Sequence, residues 1–308
     1  PGDQVGDPLG VNEDLRRVLL EFTRTKTLAG RLKLLGRLRP GQVVPEIPRN
    51  AEPRTGLSMG EHCAITTREW DIGREEQDEF AAASHHNLAA AYERGFFDDL
   101  LTPFLRLQRD QNLRPDTGVE KLARLKPVFG DGAGATMTAG NSTPLSDGAS
   151  TVLLAGEDWA RARNLPVLAY LTHAETGAVD YVHGGEGLLM APTYAVPRLL
   201  ERAGLTLRDF DFYEMHEAFA AQVLTTLKAW EDPDFCAKRL ELDAPLGSID
   251  RARLNVNGSS IAAGHPFAAT GGRIVATLAK LLGQKGGGRG LVSVCAAGGQ
   301  GVTAVLER

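Results

Sequence analysis

Two short segments of the chain combine residue types that could move protons at a carbonyl group. His265 lies within residues 255–273, a run rich in glycine, alanine, serine and asparagine in which Gly264 directly precedes the histidine. Glycine lets the backbone turn tightly and small neighbours leave room for a ligand, so this imidazole can be presented to a substrate as a base. Cys295 ends the apolar run 291–295 and is followed by Ala-Ala-Gly-Gly, so its thiol lies beside backbone amides that no bulky side chain covers. Such a thiol can exchange a proton, and such amides can bind a carbonyl oxygen.

His216 is a third candidate, because it follows the predicted strand 209–215 and precedes a predicted helix that begins at Glu217. In open α/β sheets, ligands bind at the carboxyl ends of the strands. We therefore expect His216, His265 and Cys295 to converge at one edge of a sheet. Each residue alone also fits a structural role, either as a buried histidine that satisfies a carbonyl group or as a cysteine that packs like a small apolar residue.

The elements that would position these residues alternate between strand and helix from residue 126 onwards. Apolar runs separated by turn residues predict strands at 152–154, 167–171, 209–215, 253–256, 291–295 and 302–306. Helical patterns predict helices at 195–203, from 217 onwards and at 270–282. This alternation is typical of a layered α/β domain. The last two strands flank a glycine turn, so we expect them to lie side by side.

Residues 13–39 form a basic, leucine-rich segment. Its apolar residues recur at steps of three to four, which predicts two short amphipathic helices, with Pro40 ending the second. The charged surface is either simply solvated, as is common for such helices, or a contact surface for anionic lipid, coenzyme phosphate or a partner subunit. A longer helix is predicted from Arg74 to Arg94, with acidic residues in its first turns and Gly95 at its end.

The composition bounds the class of protein. With 308 residues, 43% of them hydrophobic, the chain can bury a substantial core. A net charge of -5 argues against a general nucleic-acid binder. Three scattered cysteines fit neither a disulfide framework nor a four-ligand zinc site, and they indicate a reducing, cytoplasmic compartment. No apolar run approaches the roughly 20 residues that span a bilayer. Phosphate-loop, zinc-protease and nucleophile-elbow motifs do not occur, so we expect neither a bound metal nor nucleotide hydrolysis.

Three motifs resemble those of the thiolase family in order and spacing: His-Glu-Ala-Phe at 216–219, Gly-His-Pro at 264–266 and Cys-Ala-Ala-Gly-Gly at 295–299. Shorter similarities occur at 59–60, 74–78, 138–141 and 147–148. The resemblance extends over essentially the whole chain. It is strongest to the 3-ketoacyl-CoA thiolases of fatty-acid oxidation, of the β-subunit type of the trifunctional complex, in which the first motif begins with His rather than Asn. It implies an α/β fold with layers in the order α/β/α/β/α.

The family fold pairs two similar half-domains and inserts a loop domain into the first. By this resemblance, residues 1–145 are a loop domain with a helical basic segment, residues 146–165 are a remnant of the amino-terminal half-domain, and residues 166–308 are the carboxyl-terminal half-domain. Thiolases carry their attacking cysteine in a Cys-Ala-Ser/Thr-Gly type motif of the amino-terminal half-domain, and nothing in this chain resembles that motif. Neither Cys63 nor Cys236 lies in a matching segment. We therefore expect that the chain lacks most of that half-domain and does not complete acyl transfer by itself.

The resemblance also implies roles for individual residues. His265 would be the base that takes a proton from the attacking cysteine, and Cys295 would be the second thiol, which exchanges a proton with coenzyme A or with the acetyl carbanion. His216 would hold a water molecule that, together with His265, binds the thioester oxygen of the enolate. The amide of Ala297 would belong to a second oxyanion hole. The positions that would line the pantetheine and acyl channel are Met59, Phe129, Ala139, Thr143 and Phe219.

The activity implied is thiolytic cleavage of a 3-ketoacyl-CoA by coenzyme A, which acts as a substrate and not as a permanently bound cofactor. The resemblance further implies a homodimer or tetramer, and it admits a hydratase/dehydrogenase subunit and a membrane surface as partners. Two alternatives remain: an acetoacetyl-CoA thiolase that works in the condensation direction, and a catalytically inactive module that binds acyl-CoA or a partner. The absent nucleophile favours the inactive module, whereas the three retained polar sites argue against it.

Overall fold

The computed structural model describes residues 12–43, 51–132 and 134–308 of the chain. The chain divides into two compact units, Pro1–Ala51 and Glu52–Arg308. All of the predicted catalytic and lining residues belong to the second unit.

The first unit contains the two helices that the basic segment predicts. Helix α1 spans Glu13–Arg24 and helix α2 spans Leu28–Leu35. The side chains of Asn12 and Thr27 accept hydrogen bonds from backbone N–H groups of the first turns, and so cap the two amino termini. The expectation that Pro40 ends α2 is wrong, because α2 stops before it. Pro40 instead begins a short 3-10 turn, a position where its missing N–H is not needed.

The second unit contains both helices and strands. Its helices are α3 (Met59–Glu69), α4 (Arg74–Glu93), α5 (Val119–Leu122), α6 (Glu157–Ala162), α7 (Ala191–Ala203), α8 (Ala220–Glu231), α9 (Pro233–Arg239), α10 (Ser260–Ala263) and α11 (Thr270–Lys285). Its strands are β1 (Pro127–Phe129), β2 (Met137–Thr138), β3 (Tyr170–Ala178), β4 (Phe212–Met215), β5 (Arg289–Ala296) and β6 (Gln300–Glu307). The predicted helices 74–94, 195–203 and 270–282 correspond to α4, α7 and α11.

A mixed four-stranded sheet in the order β3-β6-β5-β4 forms the centre of this unit. β6 pairs antiparallel with both β3 and β5, whereas β4 runs parallel to β5. The predicted pairing of the last two strands is confirmed, because every residue of β5 has a partner in β6, from Arg289 with Glu307 to Ala296 with Gln300.

Helices cover both faces of this sheet. One cluster of buried side chains joins α7 to Leu291 and Val305, and another joins α11 to Val292 and Ala304. Successive residues of a strand point to opposite faces, so α7 and α11 lie on opposite sides of the sheet. The α/β architecture predicted from the alternation of elements is therefore confirmed, with β4 and β5 held between two helical layers.

Two of the predicted strands, 167–171 and 152–154, differ from the structure. The predicted strand 167–171 begins later, at Tyr170, and continues to Ala178. The predicted strand 152–154 is wrong: the backbone there is irregular, and Leu153 and Leu154 are 71% and 69% exposed. A strand is stabilised by ladder hydrogen bonds to a neighbour, and no neighbouring strand lies against 152–154 in the described part of the chain.

The predicted strand 253–256 is also wrong, and Asn255 gives the reason. Its backbone N–H donates to Tyr213 O of β4 at 2.9 Å. Among the described residues, this is the only backbone–backbone hydrogen bond between Asn255 and β4. Its side chain then accepts from Met215 N–H at 2.9 Å and donates to Met215 O at 3.0 Å. One amide side chain thus takes the place of a neighbouring strand at the free edge of β4.

Replacement of Asn255 by Ala should lower the free energy of unfolding by roughly 2–4 kcal/mol, because buried backbone groups of Met215 and the buried carboxylate of Glu217 each lose a partner. Asn255 also has a positive φ of 46°, which alanine adopts less readily. Urea unfolding followed by circular dichroism measures this change. The matched control is Asn87→Ala, which removes a single hydrogen bond of 3.2 Å and should cost about 1 kcal/mol or less. Equal losses in the two variants would contradict the role assigned to Asn255.

Candidate active site

The segment 216–219 leaves β4 as extended backbone and not as the start of a helix. His216 N–H donates to Ser293 O at 2.8 Å, so the first residue after β4 still pairs with β5. Thr143 N–H then donates to Ala218 O at 3.1 Å, and Phe219 forms a bridge with residue 142. The predicted helix start at residue 217 is therefore wrong. α8 begins three residues later because the backbone of the motif is engaged with residues 141–143.

The buried carboxylate of Glu217 anchors this segment. Its oxygens accept hydrogen bonds from Ser84 Oγ at 2.6 Å, from Asn255 Nδ2 at 2.7 Å and from the backbone N–H of Ile261 at 3.1 Å. These donors come from α4, from the turn at the edge of β4 and from α10. Burial raises the pKa of Glu217, while these three hydrogen bonds oppose the rise. Residues 216–219 are thereby fixed to α4 and to α10, the helix that precedes His265.

His265 lies between two helices, α10 and α11, so the expectation of a strand on its amino-terminal side is wrong. Gly264 makes the reversal after α10 with a φ of 104°, which is accessible mainly to glycine. A Cβ atom at this position would lie 2.4 Å from Ser146 Oγ. Residues 145–146 thus lie close to residues 264–265, and His265 itself forms a parallel backbone bridge with Leu145.

The structure brings His216 and His265 together. Their ring centroids are 4.2 Å apart and the ring planes are tilted by 42°. His216 is 2% exposed, and its Nδ1 lies 2.8 Å from Ser260 Oγ. His265 is partly buried, and its Nδ1 lies 2.6 Å from Thr270 Oγ1. In both rings the Nδ1 atom is bonded to a hydroxyl group, which leaves Nε2 as the ring nitrogen available to a ligand.

Both imidazoles are neutral near pH 7. Burial, with a smaller contribution from the positive charge of Arg273, lowers the pKa of His265 to about 4. Burial also lowers the pKa of His216 well below its usual range, and the neighbouring His265 and Arg273 add to the effect. A neutral imidazole can accept a proton at one nitrogen and donate a hydrogen bond from the other, which is what acid–base chemistry requires of it.

Cys295 lies near the carboxyl end of β5 and is 5% exposed. It packs in one cluster with Cys63, Ala218 and Phe219. Burial raises the pKa of Cys295 to about 12, so the side chain is a thiol and not a thiolate near pH 7. Because His216 N–H is bonded to the residue two positions before Cys295 along β5, the thiol belongs to the same end of the sheet as the two histidines.

The turn after Cys295 presents backbone donors. Gly298 N–H donates to Glu52 Oε1 at 2.8 Å, and Tyr181 donates to the other carboxylate oxygen at 2.7 Å. An amide of this turn therefore binds an anionic oxygen in the structure. Ala297, the residue whose amide is predicted to serve an oxyanion hole, is half-buried in the same turn.

The predicted lining residues divide into three groups. Met59, at the start of α3, and Phe129, at the end of β1, pack against the cluster that contains Cys295, and the rings of Phe129 and Phe219 meet edge to face at 5.8 Å. Thr143 Oγ1 donates to Ser260 O at 2.8 Å, which places it beside the histidines. Ala139 lies in an exposed turn after β2.

Sequence reasoning missed Ser260, Thr270 and Arg273. Ser260 and Thr270 hold the two imidazoles, and Arg273 donates to Ser260 Oγ at 2.9 Å. A signal for Arg273 was present, since it is the only charged residue in the otherwise small and apolar run 255–273. A lone charge in such a run indicates a buried polar contact.

Comparisons with known proteins identify the family. The thiolase C-terminal domain matches residues 165–308 and the thiolase N-terminal domain matches residues 46–158. The chain belongs to the thiolase family. The resemblance predicted from the three motifs is therefore confirmed, while the boundaries predicted for the loop domain and half-domains stay a prediction.

Thiolases of known sequence are similar over nearly the whole chain. The 3-ketoacyl-CoA thiolase of Pectobacterium atrosepticum is 42% identical over 306 residues, which cover 97% of this chain and 69% of the relative. The 3-ketoacyl-CoA thiolase of Yersinia pestis is 40% identical with the same coverage. The residues of this chain thus correspond to about two thirds of the length of these thiolases.

Thiolases of known structure share the fold. The acetyl-CoA acetyltransferase of Bacillus anthracis is 33% identical, with a TM-score of 0.72 over 88% of this chain and 65% of the other. Human mitochondrial 3-ketoacyl-CoA thiolase in complex with CoA is 29% identical, with a TM-score of 0.68 over 83% of this chain and 60% of the other. The chain spans less than two thirds of each solved structure. The predicted thiolase-like α/β fold is confirmed by these similarities.

The described residues contain no group of three or more His, Cys, Asp or Glu side chains placed to hold a metal ion. In the same part of the chain, no helix combines the length and the apolar character needed to cross a membrane.

Acidification should destabilise the protein through His265. An imidazole in the unfolded chain takes up its proton near pH 6.5, whereas the folded protein takes it up only near pH 4. The unfolded state therefore binds more protons between these values, so the free energy of unfolding falls as the pH falls from about 6.5 to about 4. In the His265→Gln variant this loss should be smaller, by no more than about 3 kcal/mol.

Urea unfolding at about pH 7 and about pH 4.5 measures the difference between the two proteins. The exposed His86→Gln variant controls for the loss of an imidazole from the surface. An unchanged pH dependence in His265→Gln would show that the fold does not lower the pKa of this ring.

Proposed function

We propose that this chain supplies the base and the second thiol of a 3-ketoacyl-CoA thiolase. The reaction is cleavage of a 3-ketoacyl-CoA by coenzyme A to acetyl-CoA and a shortened acyl-CoA. Coenzyme A acts as a substrate, and no cofactor is permanently bound. The observation that carries the proposal is the pair of neutral imidazoles of His216 and His265, 4.2 Å apart, at the end of the sheet where Cys295 lies. The 3-ketoacyl-CoA thiolase names of the relatives at 40–42% identity support it.

His265 acts as the base for the attacking cysteine. The resemblance places that cysteine in a motif which this chain does not contain. Neutral His265 takes its proton, and the thiolate then attacks the 3-keto carbon. The bond between C2 and C3 breaks, and its electron pair moves onto the acetyl-CoA fragment as an enolate. The low pKa of His265 keeps the ring unprotonated and ready for this step.

Cys295 completes the proton transfers. As a buried thiol with a pKa near 12, it donates its proton to the carbanion carbon of the enolate, which becomes acetyl-CoA. The resulting thiolate takes the proton of the incoming coenzyme A. The thiolate of coenzyme A then attacks the acyl group on the first cysteine, which releases the shortened acyl-CoA and a cysteine thiolate that takes its proton back from His265. A high pKa suits a proton donor to carbon better than it suits a nucleophile.

Two sets of donors stabilise the oxygens that become negative. His216, with a bound water and His265, serves the thioester oxygen of the enolate. The amide of Ala297 serves the tetrahedral intermediate, and the neighbouring Gly298 amide supports this role because it already binds a carboxylate oxygen of Glu52. Met59, Phe129, Ala139, Thr143 and Phe219 line the path of the pantetheine and acyl groups.

An acetoacetyl-CoA thiolase that works in the condensation direction is the second candidate. The similarity to the acetyl-CoA acetyltransferase of Bacillus anthracis favours it. The two candidates share the proton transfers described above and differ in the acyl group. Comparison of kcat/KM for acetoacetyl-CoA and for a long-chain 3-ketoacyl-CoA separates them.

We extend the proposal to partners and location. The protein is a cytoplasmic homo-oligomer, a dimer or a tetramer. The first unit contacts a hydratase/dehydrogenase subunit or an anionic membrane surface. Exposed Leu28 and Leu32 beside Arg31 and Lys33 support a contact that is both apolar and electrostatic.

Replacement of Cys295 by Ala in the intact polypeptide should lower kcat for thiolysis by about 10²–10⁴, since a positioned proton donor is lost. The measurement is the disappearance of a 3-ketoacyl-CoA in the presence of coenzyme A. The matched control is Cys236→Ala, which removes a thiol that is equally buried but bonded only to backbone carbonyls and an amide around α9.

The Cys236→Ala variant should keep its turnover once it is folded. Undiminished turnover in Cys295→Ala would remove this residue from the mechanism. A polypeptide that binds 3-ketoacyl-CoA without any turnover would instead support the inactive module.

Replacement of Arg31, Lys33 and Arg37 by Gln should weaken binding to vesicles of phosphatidylcholine and phosphatidylserine by roughly tenfold or more, because each basic residue near an anionic surface contributes about 1 kcal/mol. Co-sedimentation measures the binding. The control variant carries the same replacement at three exposed arginines of the second unit, Arg106, Arg124 and Arg208. Equal binding by both variants would remove the membrane contact, and the same pair tested with the hydratase/dehydrogenase subunit decides the partner contact.

A further inference from the structure

The hydrogen bond between His216 and Ser260 has a direction that the surrounding groups determine. The Nδ1 and Oγ atoms are 2.8 Å apart, and either could carry the hydrogen. Arg273 also donates to Ser260 Oγ at 2.9 Å. A guanidinium group can only donate, so the serine oxygen must be the acceptor of that bond. The single hydrogen of the serine hydroxyl then remains to be donated, and His216 Nδ1 is the acceptor within reach.

The opposite arrangement would leave one hydrogen-bond donor without an acceptor. If His216 carried a hydrogen on Nδ1, Ser260 Oγ would accept from both neighbours and its own hydrogen would have no acceptor among the described residues. Ser260 is fully buried, so water does not replace the missing partner. Leaving a buried hydroxyl hydrogen unpaired disfavours this arrangement by roughly tenfold to hundredfold in population.

Two buried acids lie near Arg273 on α11. Burial lowers the pKa of its guanidinium, and the nearby Glu214 and Glu217 oppose this shift. Glu214 is on β4 opposite Val292, a residue that packs against α11, so its side chain is on the face that α11 covers. Glu217 is also the anchor of the His216 segment.

Thr270 contacts the other imidazole. Its Oγ1 lies 2.6 Å from His265 Nδ1 and 3.3 Å from Pro266 O, in the first turn of α11. Pro266 O also accepts from the backbone N–H of Ala269 at 3.1 Å, so the threonine hydrogen can go either to Pro266 O or to His265 Nδ1. The role of a base requires the first arrangement, in which His265 Nδ1 donates to Thr270 and Nε2 has a free lone pair.

We infer that Arg273, Ser260 and Thr270 are positioning residues that hold His216 and His265 in opposite tautomers. His216 presents Nε2–H, a hydrogen-bond donor, and His265 presents a bare Nε2, a base. This inference rests on the proposed function for its catalytic meaning, because one ring must stabilise an enolate oxygen while the other removes a proton. The tautomer of His216 follows from its contacts alone, whereas that of His265 also rests on its role as the base.

The tautomers can be measured without substrate. Nitrogen-15 NMR of the full-length polypeptide labelled at histidine distinguishes a protonated from an unprotonated ring nitrogen. The signals of His216 are identified by their disappearance in His216→Asn. We expect Nδ1 unprotonated and Nε2 protonated in His216, and the reverse in His265. A protonated Nδ1 in His216 of the unsubstituted protein overturns the inference, whatever happens in any variant.

Variants then test the cause. In Ser260→Ala the preference of His216 for this tautomer should fall by at least about tenfold, and Ser260→Thr should restore it because the hydroxyl returns. The matched control is Ser259→Ala. Ser259 is an equally buried neighbour that accepts from the same guanidinium at 3.4 Å but has no bond to His216, so its loss should leave the tautomer unchanged. An unchanged tautomer in Ser260→Ala would overturn the role of Ser260.

Turnover separates this inference from the proposed function. Ser260→Ala should lower kcat for thiolysis about tenfold or more with little change in KM, since the donor acts on the enolate and not on the bound substrate. Absence of thiolysis in the unsubstituted protein, together with the expected tautomers, would contradict the proposed function but not the inferred tautomers. Full turnover in a Ser260→Ala protein whose His216 has lost the preferred tautomer would show that this tautomer is not needed for catalysis.

Discussion

The buried carboxylate of Glu217 is the interaction on which the arrangement of the site depends. It takes hydrogen bonds from Ser84 on α4 and, more than 170 positions later, from Asn255 and Ile261. An ionised carboxylate is costly to bury unless several donors surround it, so the segments that supply them are constrained to meet at one place. The strand end that carries His216 and the helix that begins at Ser260 are located by the same acid.

This constraint explains why two imidazoles can lie so close together. Two charged rings at this distance would repel each other in a poorly solvated site. Both are kept neutral by burial, and each is bonded through Nδ1 to a hydroxyl group from the segment that runs from α10 to α11. The nearby positive charge of Arg273 opposes protonation of either ring. The price of this arrangement is pH sensitivity, since acidification must eventually force protons onto groups that the fold holds without them.

Much of the fold could be predicted from local patterns, and the failures have local causes. Helical patterns located α7 and α11, acidic first turns and Gly95 located α4, and the glycine turn located the pairing of β5 with β6. The predicted strand 253–256 failed because a side chain, that of Asn255, makes the bonds that a strand would have made. The predicted start of α8 failed because residues 216–219 are engaged with a segment more than 70 positions earlier in the chain, which no local pattern contains.

The candidate site, like the fold, could be predicted from the sequence only in part. The predicted positions of His216 and His265 at one edge of a sheet indicated that they would meet, and the structure places them together. The residues that orient them could not be predicted, because serine and threonine occur throughout the chain and only their contacts distinguish Ser260 and Thr270 from the rest. Arg273 was visible as an isolated charge, but its partners are set by the crossing of α11 over β4.

Ser260 is contacted from two directions, and this has a consequence for how the protein tolerates change. Its hydroxyl meets His216 and Arg273, while its carbonyl accepts from Thr143. Any substitution that reshapes the loop around Thr143 therefore also displaces the first turn of α10. Under the proposed function, in which Thr143 lines the acyl path, substrate range and proton transfer are linked, so variants selected for new substrates should need compensating changes near residue 260 before they recover their rate.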